Sequence, residues 1–132
     1  LRDEDAMTRV ILASFHTDRL QAVRAIDEAP ATGLSTTEVL DWIWYEDHPT
    51  YRPPAAFAQL PPRIPGLDLI TGERMHRAHR LGLSIQAWTI NDPNEARRLA
   101  SLGVSGILTD APDRIRTALD APASNQTNPN GP

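Results

Sequence analysis

The sequence predicts an α/β fold in which parallel strands alternate with helices. Three observations carry that expectation. Short continuous apolar runs recur along the chain, as in strands of a buried parallel sheet. Each run is followed by a segment with apolar residues at helical spacing. Several of those segments open on a helix-start signal, of which Asp92-Pro93-Asn94-Glu95 is the clearest. Strand and helix in this rhythm build βα units. A doubly wound sheet and a barrel both satisfy the pattern, and the pattern alone leaves that choice open.

In chain order, the first strand is Val10-Ile11-Leu12-Ala13. A helix follows, with Thr17 as its expected N-cap and Leu20, Val23 and Ile26 as its apolar stripe, stopping near Ala29-Pro30. Ser35-Thr36-Thr37-Glu38 is a capping box, in which Ser35 and Glu38 satisfy each other's free backbone donors. Val39, Leu40, Ile43 and Trp44 then recur at helical spacing, which turns Trp42 to the other face, exposed or against further chain. The stretch from Glu46 to Pro65 is too rich in proline for a helix. Within it, Ala56 to Leu60 suits a short strand.

Thr71 caps a helix that runs through Leu81 and is closed by Gly82. Strand Ser84 to Thr89 comes next. Asp92 caps the following helix, which ends at Gly103. Gly106 to Thr109 forms the fourth strand and Pro112 to Leu119 the last helix, with Asp110 as its expected cap. Residues 121–132 are dominated by Pro, Ser, Asn, Gln and Gly, a composition expected to form a disordered tail.

Composition excludes several function classes. The 132 residues hold no cysteine, so disulfides, thiolate nucleophiles and cysteine-bound metals are ruled out. The net charge of −4 offers no basic footprint for nucleic acid. All 13 basic residues besides histidine are Arg, so no lysine serves as Schiff base or phosphate ligand. No apolar run approaches the roughly 18–20 residues of a membrane span. The first ten residues alternate charges and do not form a signal core.

Three stretches decide between the architectures. Ala13-Ser14-Phe15 closes the first strand, Trp88-Thr89-Ile90-Asn91-Asp92-Pro93 closes the third, and Leu102 to Asp113 reads L-G-V-S-G-I-L-T-D-A-P-D. In this order they resemble the last βα units of the glycerophosphodiester phosphodiesterase family. That family shows S-F, then W-T-[VI]-N, then a G-[VI]-x-x-D-G-[IV]-x-T-D-x-P run. Gly66 to Leu83 also looks like its approach to the seventh strand, and Ser105 departs where the family usually has an acidic residue. The resemblance covers roughly Thr8 to Leu119. It implies the C-terminal half of a (β/α)8 TIM barrel, with residues 1–120 forming the last four βα units.

A full barrel needs about 250 residues and places its site at the C-terminal ends of the strands. The family's H-R-G, E-x-D and E-x-K motifs occur nowhere in this chain. The resemblance therefore implies a fragment of a metal-dependent phosphoric diester hydrolase, converting glycerophosphodiesters to glycerol 3-phosphate and an alcohol in lipid metabolism. It implies two histidines as general acid and base, and a divalent metal (Ca2+ or Mg2+). No catalytic residue and no metal ligand is assigned in this chain, and the isolated chain is expected to be inactive. Its expected partners are the small-molecule substrate and the N-terminal half of the barrel, with no nucleic acid and no membrane span. Two uncovered sheet edges also make self-association an expectation. A cytoplasmic location is expected, and an extracellular one is left open.

By the same resemblance, Trp88 lines the substrate pocket as an apolar wall and Phe15 does so from the first strand end. Ser14 and Gln59 are placed to meet a phosphate or glycerol oxygen, and Asn91 is a further candidate for ligand contact. Each also has a purely structural explanation as packing or local hydrogen bonding. His16 is the one histidine near the expected mouth. His76 and His79 share a helix at a spacing that suits a metal, but on a helix running toward the barrel's opposite end. Two other readings remain: a stand-alone α/β module that binds a phosphorylated small molecule, and a non-catalytic family member used for interaction.

Overall fold

Two-residue β1 (Ile11–Leu12) pairs in parallel with β2 (Ala31–Thr32). β3 (Phe57–Leu60), β6 (Ser84–Ala87) and β7 (Gly106–Ile107) form a second parallel set in that order. A single parallel bridge, Gly33 to Phe57, joins the two sets. This computed structural model describes residues 6–121, so all but one residue of the expected tail lies outside the described residues.

The parallel strands thus follow one another in chain order, each beside the next. A doubly wound sheet reverses its strand order at a switch point. No reversal occurs among the described residues, and the arrangement is an arc of a (β/α)8 barrel. Its outer strands, β1 and β7, each have one paired neighbour among the described residues, so the arc is open.

Helices cover the convex side. They are α1 (Thr17–Arg24), α2 (Thr36–Tyr45), α3 (Gly72–Arg80), α4 (Pro93–Ser101) and α5 (Pro112–Asp120). Alternation along β3 and β6 explains the layering, because successive side chains leave a strand on opposite faces. Ala58, Leu60, Ile85 and Ala87 turn toward the helices and are buried. There they join Ala78, Leu83, Ala96, Leu99 and Ile115 in one core. Phe57, Gln59, Ser84 and Gln86 take the concave face and stay half-buried. No helix is long and apolar enough to cross a membrane among the described residues.

Three helix starts form as the sequence implies. Ser35 and Glu38 make the full capping box, and the side chains of Thr71 and Asp92 accept from Arg74 and Glu95 backbone N–H groups. Gly103 adopts φ +88 just beyond α4, a left-handed stop that favours glycine.

Five expectations need correction. Thr17 is not a cap. The N-cap of α1 is His16, which makes no side-chain cap bond, while the Thr17 hydroxyl lies 2.6 Å from the Ser35 hydroxyl. Ile26 falls beyond the end of α1 and is exposed. Asp110 is not the cap of α5, because Ala111 holds that position and the Asp110 carboxylate accepts from the Asn91 amide at 2.9 Å. The tryptophans of α2 are reversed: Trp42 is 0% exposed and Trp44 is 80% exposed. The buried stripe is Glu38, Trp42 and Glu46, spaced four apart, with both carboxylates paired to arginines. Counting apolar residues alone picks the wrong face when the buried one carries ion pairs.

Two elements were not foreseen. β2 is a fifth parallel strand beside the four expected. An antiparallel hairpin, β4 (Arg63–Ile64) and β5 (Leu67–Asp68), rises just after β3. Pro65 and Gly66 form its turn, and Gly66 at φ +78 takes the conformation a Pro-Gly turn needs.

Candidate functional site

Every parallel strand delivers residues to one cavity of about 890 Å³ at the C-terminal ends of the arc. β1 is followed there by Ala13, Ser14 and Phe15, and β2 by Leu34 and Ser35. β3 contributes Gln59, Leu60 and Pro61, β6 is followed by Trp88 and Thr89, and β7 by Leu108, Thr109 and Asp110. Side chains at this end of a parallel arc converge while their helices start nearby. That is where barrels place their sites.

The structure brings together four of the five residues expected at the site. Phe15 and Trp88 come from opposite sides of the arc and meet edge to face, with ring centroids 6.4 Å apart and an interplanar angle of 64°. This is a favourable aromatic geometry. Phe15 is nonetheless 72% exposed, so its free face is turned to water. The Trp88 backbone is held by its N–H, which donates to the Leu60 carbonyl at 3.0 Å, and the Trp88–Thr89 peptide is cis. Gln59 donates to the Gln86 amide oxygen at 2.9 Å on the concave face. Ser14 accepts from the His16 backbone N–H at 3.1 Å.

Asn91 does not line this cavity. Its amide donates to Asp110, and its amide oxygen accepts from the Thr109 hydroxyl and the Asp110 backbone N–H, each at 2.9 Å. Arg114 donates to its carbonyl at 2.5 Å. Asn91 therefore ties the segment after β6 to the segment after β7, and holds Thr109 and Asp110 in the wall.

Below the mouth lies a polar cluster that the sequence showed only through its capping box. Arg24 grips both Glu38 carboxylate oxygens, at 2.6 and 3.0 Å. It also donates to the Thr32 hydroxyl at 2.8 Å and to the Gly33 carbonyl at 3.0 Å. Glu38 completes the cluster by accepting from the Ser35 backbone N–H at 2.8 Å. Burial works against the Glu38 charge, but the Arg24 hydrogen bonds, the Ser35 donors and the Arg24 charge outweigh it. The carboxyl is held below its ordinary value of 4.5. One arginine thus fixes α1, the end of β2 and the start of α2 to one another.

Sequence reasoning had passed over Arg19, which lines the cavity from the first turn of α1, beside His16. It had also passed over an aliphatic flank made by Val39, Leu40 and Ile43 of α2 with Ile64 and Leu69 of the hairpin region. Neither has a motif; both depend on where α2 and the hairpin come to lie. The remaining histidines are elsewhere: His76 and His79 are exposed on α3, and His48 bonds Thr50 through Nδ1 at 3.0 Å. Among the described residues no group of three or more His, Cys, Asp or Glu side chains could hold a metal ion. The cavity itself offers one carboxylate, Asp110, and one imidazole, His16.

Comparison with known proteins gives a consistent picture. The sequence profile of the Glycerophosphoryl diester phosphodiesterase family matches residues 2–114. A Mycobacterium tuberculosis H37Rv protein named probable glycerophosphodiester phosphodiesterase 2 is 31% identical over 130 residues, covering 89% of this chain and 47% of its own length. The Bacillus subtilis protein "Putative glycerophosphodiester phosphodiesterase YhdW" is 53% identical over 34 residues, 26% of this chain and 14% of that protein. A crystal structure of a "Putative glycerophosphoryl diester phosphodiesterase" from Silicibacter pomeroyi DSS-3 aligns with a TM-score of 0.42 at 24% identity, over 77% of this chain and 40% of that one. The chain therefore spans about half the length of its mycobacterial relative.

Proposed function

This chain belongs to the glycerophosphoryl diester phosphodiesterase family, and we propose that it forms one wall of the substrate pocket of a phosphoric diester hydrolase. The reaction is hydrolysis of a glycerophosphodiester to glycerol 3-phosphate and an alcohol. The observation that carries this reading is the convergence of Ser14, Phe15, Gln59 and Trp88 on one cavity at the strand ends.

The side chains divide the work by chemistry. Trp88 and Phe15 give a broad apolar surface that shields one side of the ligand from water. Ser14 and Gln59 offer a hydroxyl and an amide to glycerol or phosphate oxygens. Asn91 acts at one remove, by holding Thr109 and Asp110 in place.

Family chemistry depends on a divalent metal, which stabilises charge on the phosphate. The described residues do not fit such an ion: one carboxylate already engaged by Asn91 and one imidazole fall short of a coordination shell. On this reading the metal ligands and the two acid–base histidines are supplied by a segment that carries the H-R-G and E-x-D motifs and a second histidine shortly after them. Residues 1–120 are then a partial barrel whose natural partner is that segment.

The test is direct. Purified residues 1–132, assayed with a glycerophosphodiester and Mg2+ or Ca2+, are expected to release no glycerol 3-phosphate. Metal-dependent release by this chain alone would overturn the division of labour.

A further inference from the structure

Arg24 and Glu38 lie outside the cavity lining, yet the backbone they hold leads into its wall. Their charges are largely shielded from water, with side chains 21% and 9% exposed. An ion pair of this kind adds little net stability, because each charge gives up its hydration. What it fixes is geometry. The Arg24 guanidinium spans Glu38, the Thr32 hydroxyl and the Gly33 carbonyl, and so sets the end of β2 against the start of α2.

From there the contacts run toward the mouth. The Glu38 carboxylate accepts from the Ser35 backbone N–H, and the Ser35 hydroxyl lies 2.6 Å from that of Thr17. The next N–H, that of Thr36, donates to the Phe15 carbonyl at 3.4 Å. Phe15 depends on such a hold. Pairing of β1 with β2 stops at Leu12, and α1 begins only at Thr17. The Phe15 ring stands mostly in water, so burial does not fix it. Its edge-to-face contact with Trp88 is a single weak interaction set against the entropy of ordering that segment.

We propose that Arg24 and Glu38 are positioning residues of the pocket: without touching the cavity, they hold the Ser35–Thr36 backbone where it seats Phe15 against Trp88. The inference rests on the proposed function only in taking this contact as a wall of the substrate pocket. The contact and its dependence on the ion pair are read without substrate.

The test uses the whole chain labelled with para-fluorophenylalanine. Phe15 and Phe57 are its two phenylalanines, so fluorine NMR gives two resonances, which Phe15→Leu assigns. Trp88→Ala defines where the Phe15 signal falls once the indole is gone. Glu38→Gln and Arg24→Gln are each expected to move the Phe15 signal most of the way to that position. The double variant moves it no further, because the two residues act as one unit. Backbone amide signals of β6 and β7 stay in place.

Thr36→Pro separates position from stability. Proline suits the first position of a helix, and Ser35 before it already has extended backbone at φ −73 and ψ 172. This variant keeps the ion pair and α2 but removes the donor to Phe15. It is expected to move the same signal with little change in melting temperature.

A Phe15 signal that stays put in both Gln variants would overturn the proposal. So would one that moves only together with the β6 and β7 amides, since the pair would then support the whole fold and not the wall. An unmoved signal in Thr36→Pro would overturn it as well. If the fluorine shifts come out as expected but no hydrolysis follows when the motif-bearing segment is supplied, the proposed reaction fails and the positioning contact stands.

Discussion

The two sides of the arc are held together by different forces. Around β3, β6 and β7 the helices α3, α4 and α5 close over a continuous apolar layer, with Ile85, Leu99 and Ile115 almost fully buried. Four consecutive residue pairs join β3 to β6. Around β1 and β2 there are two residue pairs, and Leu20 is the one buried residue of α1. The Arg24–Glu38 cluster does there what apolar packing does on the other side. An apolar layer resists pH and salt, whereas a carboxylate-centred cluster holds only while its charge persists. The pocket draws Ser14 and Phe15 from the second kind of region and Gln59 and Trp88 from the first. Its shape therefore depends on the weaker one.

The largest effect should come from damaging the apolar side. Leu99→Ala removes a side chain with no exposure and is expected to cost about 2–5 kcal/mol. Chemical unfolding monitored by far-UV circular dichroism measures it. A loss below about 1 kcal/mol would mean that this layer is loosely packed.

A smaller effect is expected on the polar side, and it carries a pH signature. The Glu38 carboxyl is lowered below its ordinary value, so its contribution to stability is complete above pH 4.5 and is lost as pH falls through the lower folded-state value. Glu38→Gln keeps the shape but removes the charge from Arg24, for an expected cost of about 1–3 kcal/mol at neutral pH. Acid titration followed by amide exchange at Leu34 and Gly33 should show these protons opening before those of β6. In the Gln variant that acid-dependent step should vanish. Simultaneous opening of both regions would erase the distinction between them.

The smallest effect concerns the join between β6 and β7. Asn91→Ala deletes three exposed side-chain hydrogen bonds, worth about 1 kcal/mol in stability. Thr109 and Asp110 should become mobile by NMR relaxation while β6 itself stays rigid.

How far the sequence reveals this molecule depends on the range of the interaction involved. The four expected strands were legible as short runs rich in apolar residues, because one face of each packs under the helices and the other is only partly open to water. Ala31-Thr32 was not, since two residues between Pro30 and Gly33 carry no period. The hairpin at Pro65-Gly66 had a usable turn signal, obscured by the surrounding prolines. Caps were legible at Ser35, Thr71 and Asp92, but not at Thr17 or Asp110. There the direction in which the chain leaves its strand decides which residue becomes the cap. The face of α2 was misread because Glu38 and Glu46 are buried with arginine partners, and those partners lie 14 or more residues away. At the site, Ser14, Phe15, Gln59 and Trp88 could be picked out as strand-end residues. Arg19 and the aliphatic flank could not, since only the placement of α1, α2 and the hairpin brings them to the cavity.

The most direct test of the account is reconstitution. A polypeptide bearing the family's H-R-G and E-x-D motifs is mixed with this chain and a divalent metal, and glycerol 3-phosphate release is measured. The account predicts no release from either piece alone and release from the mixture. It further predicts that Trp88→Ala lowers kcat/KM of the mixture by about tenfold or more, the loss of a large apolar contact. Equal rates with and without the Trp88 side chain would contradict the claim that this chain builds the pocket wall.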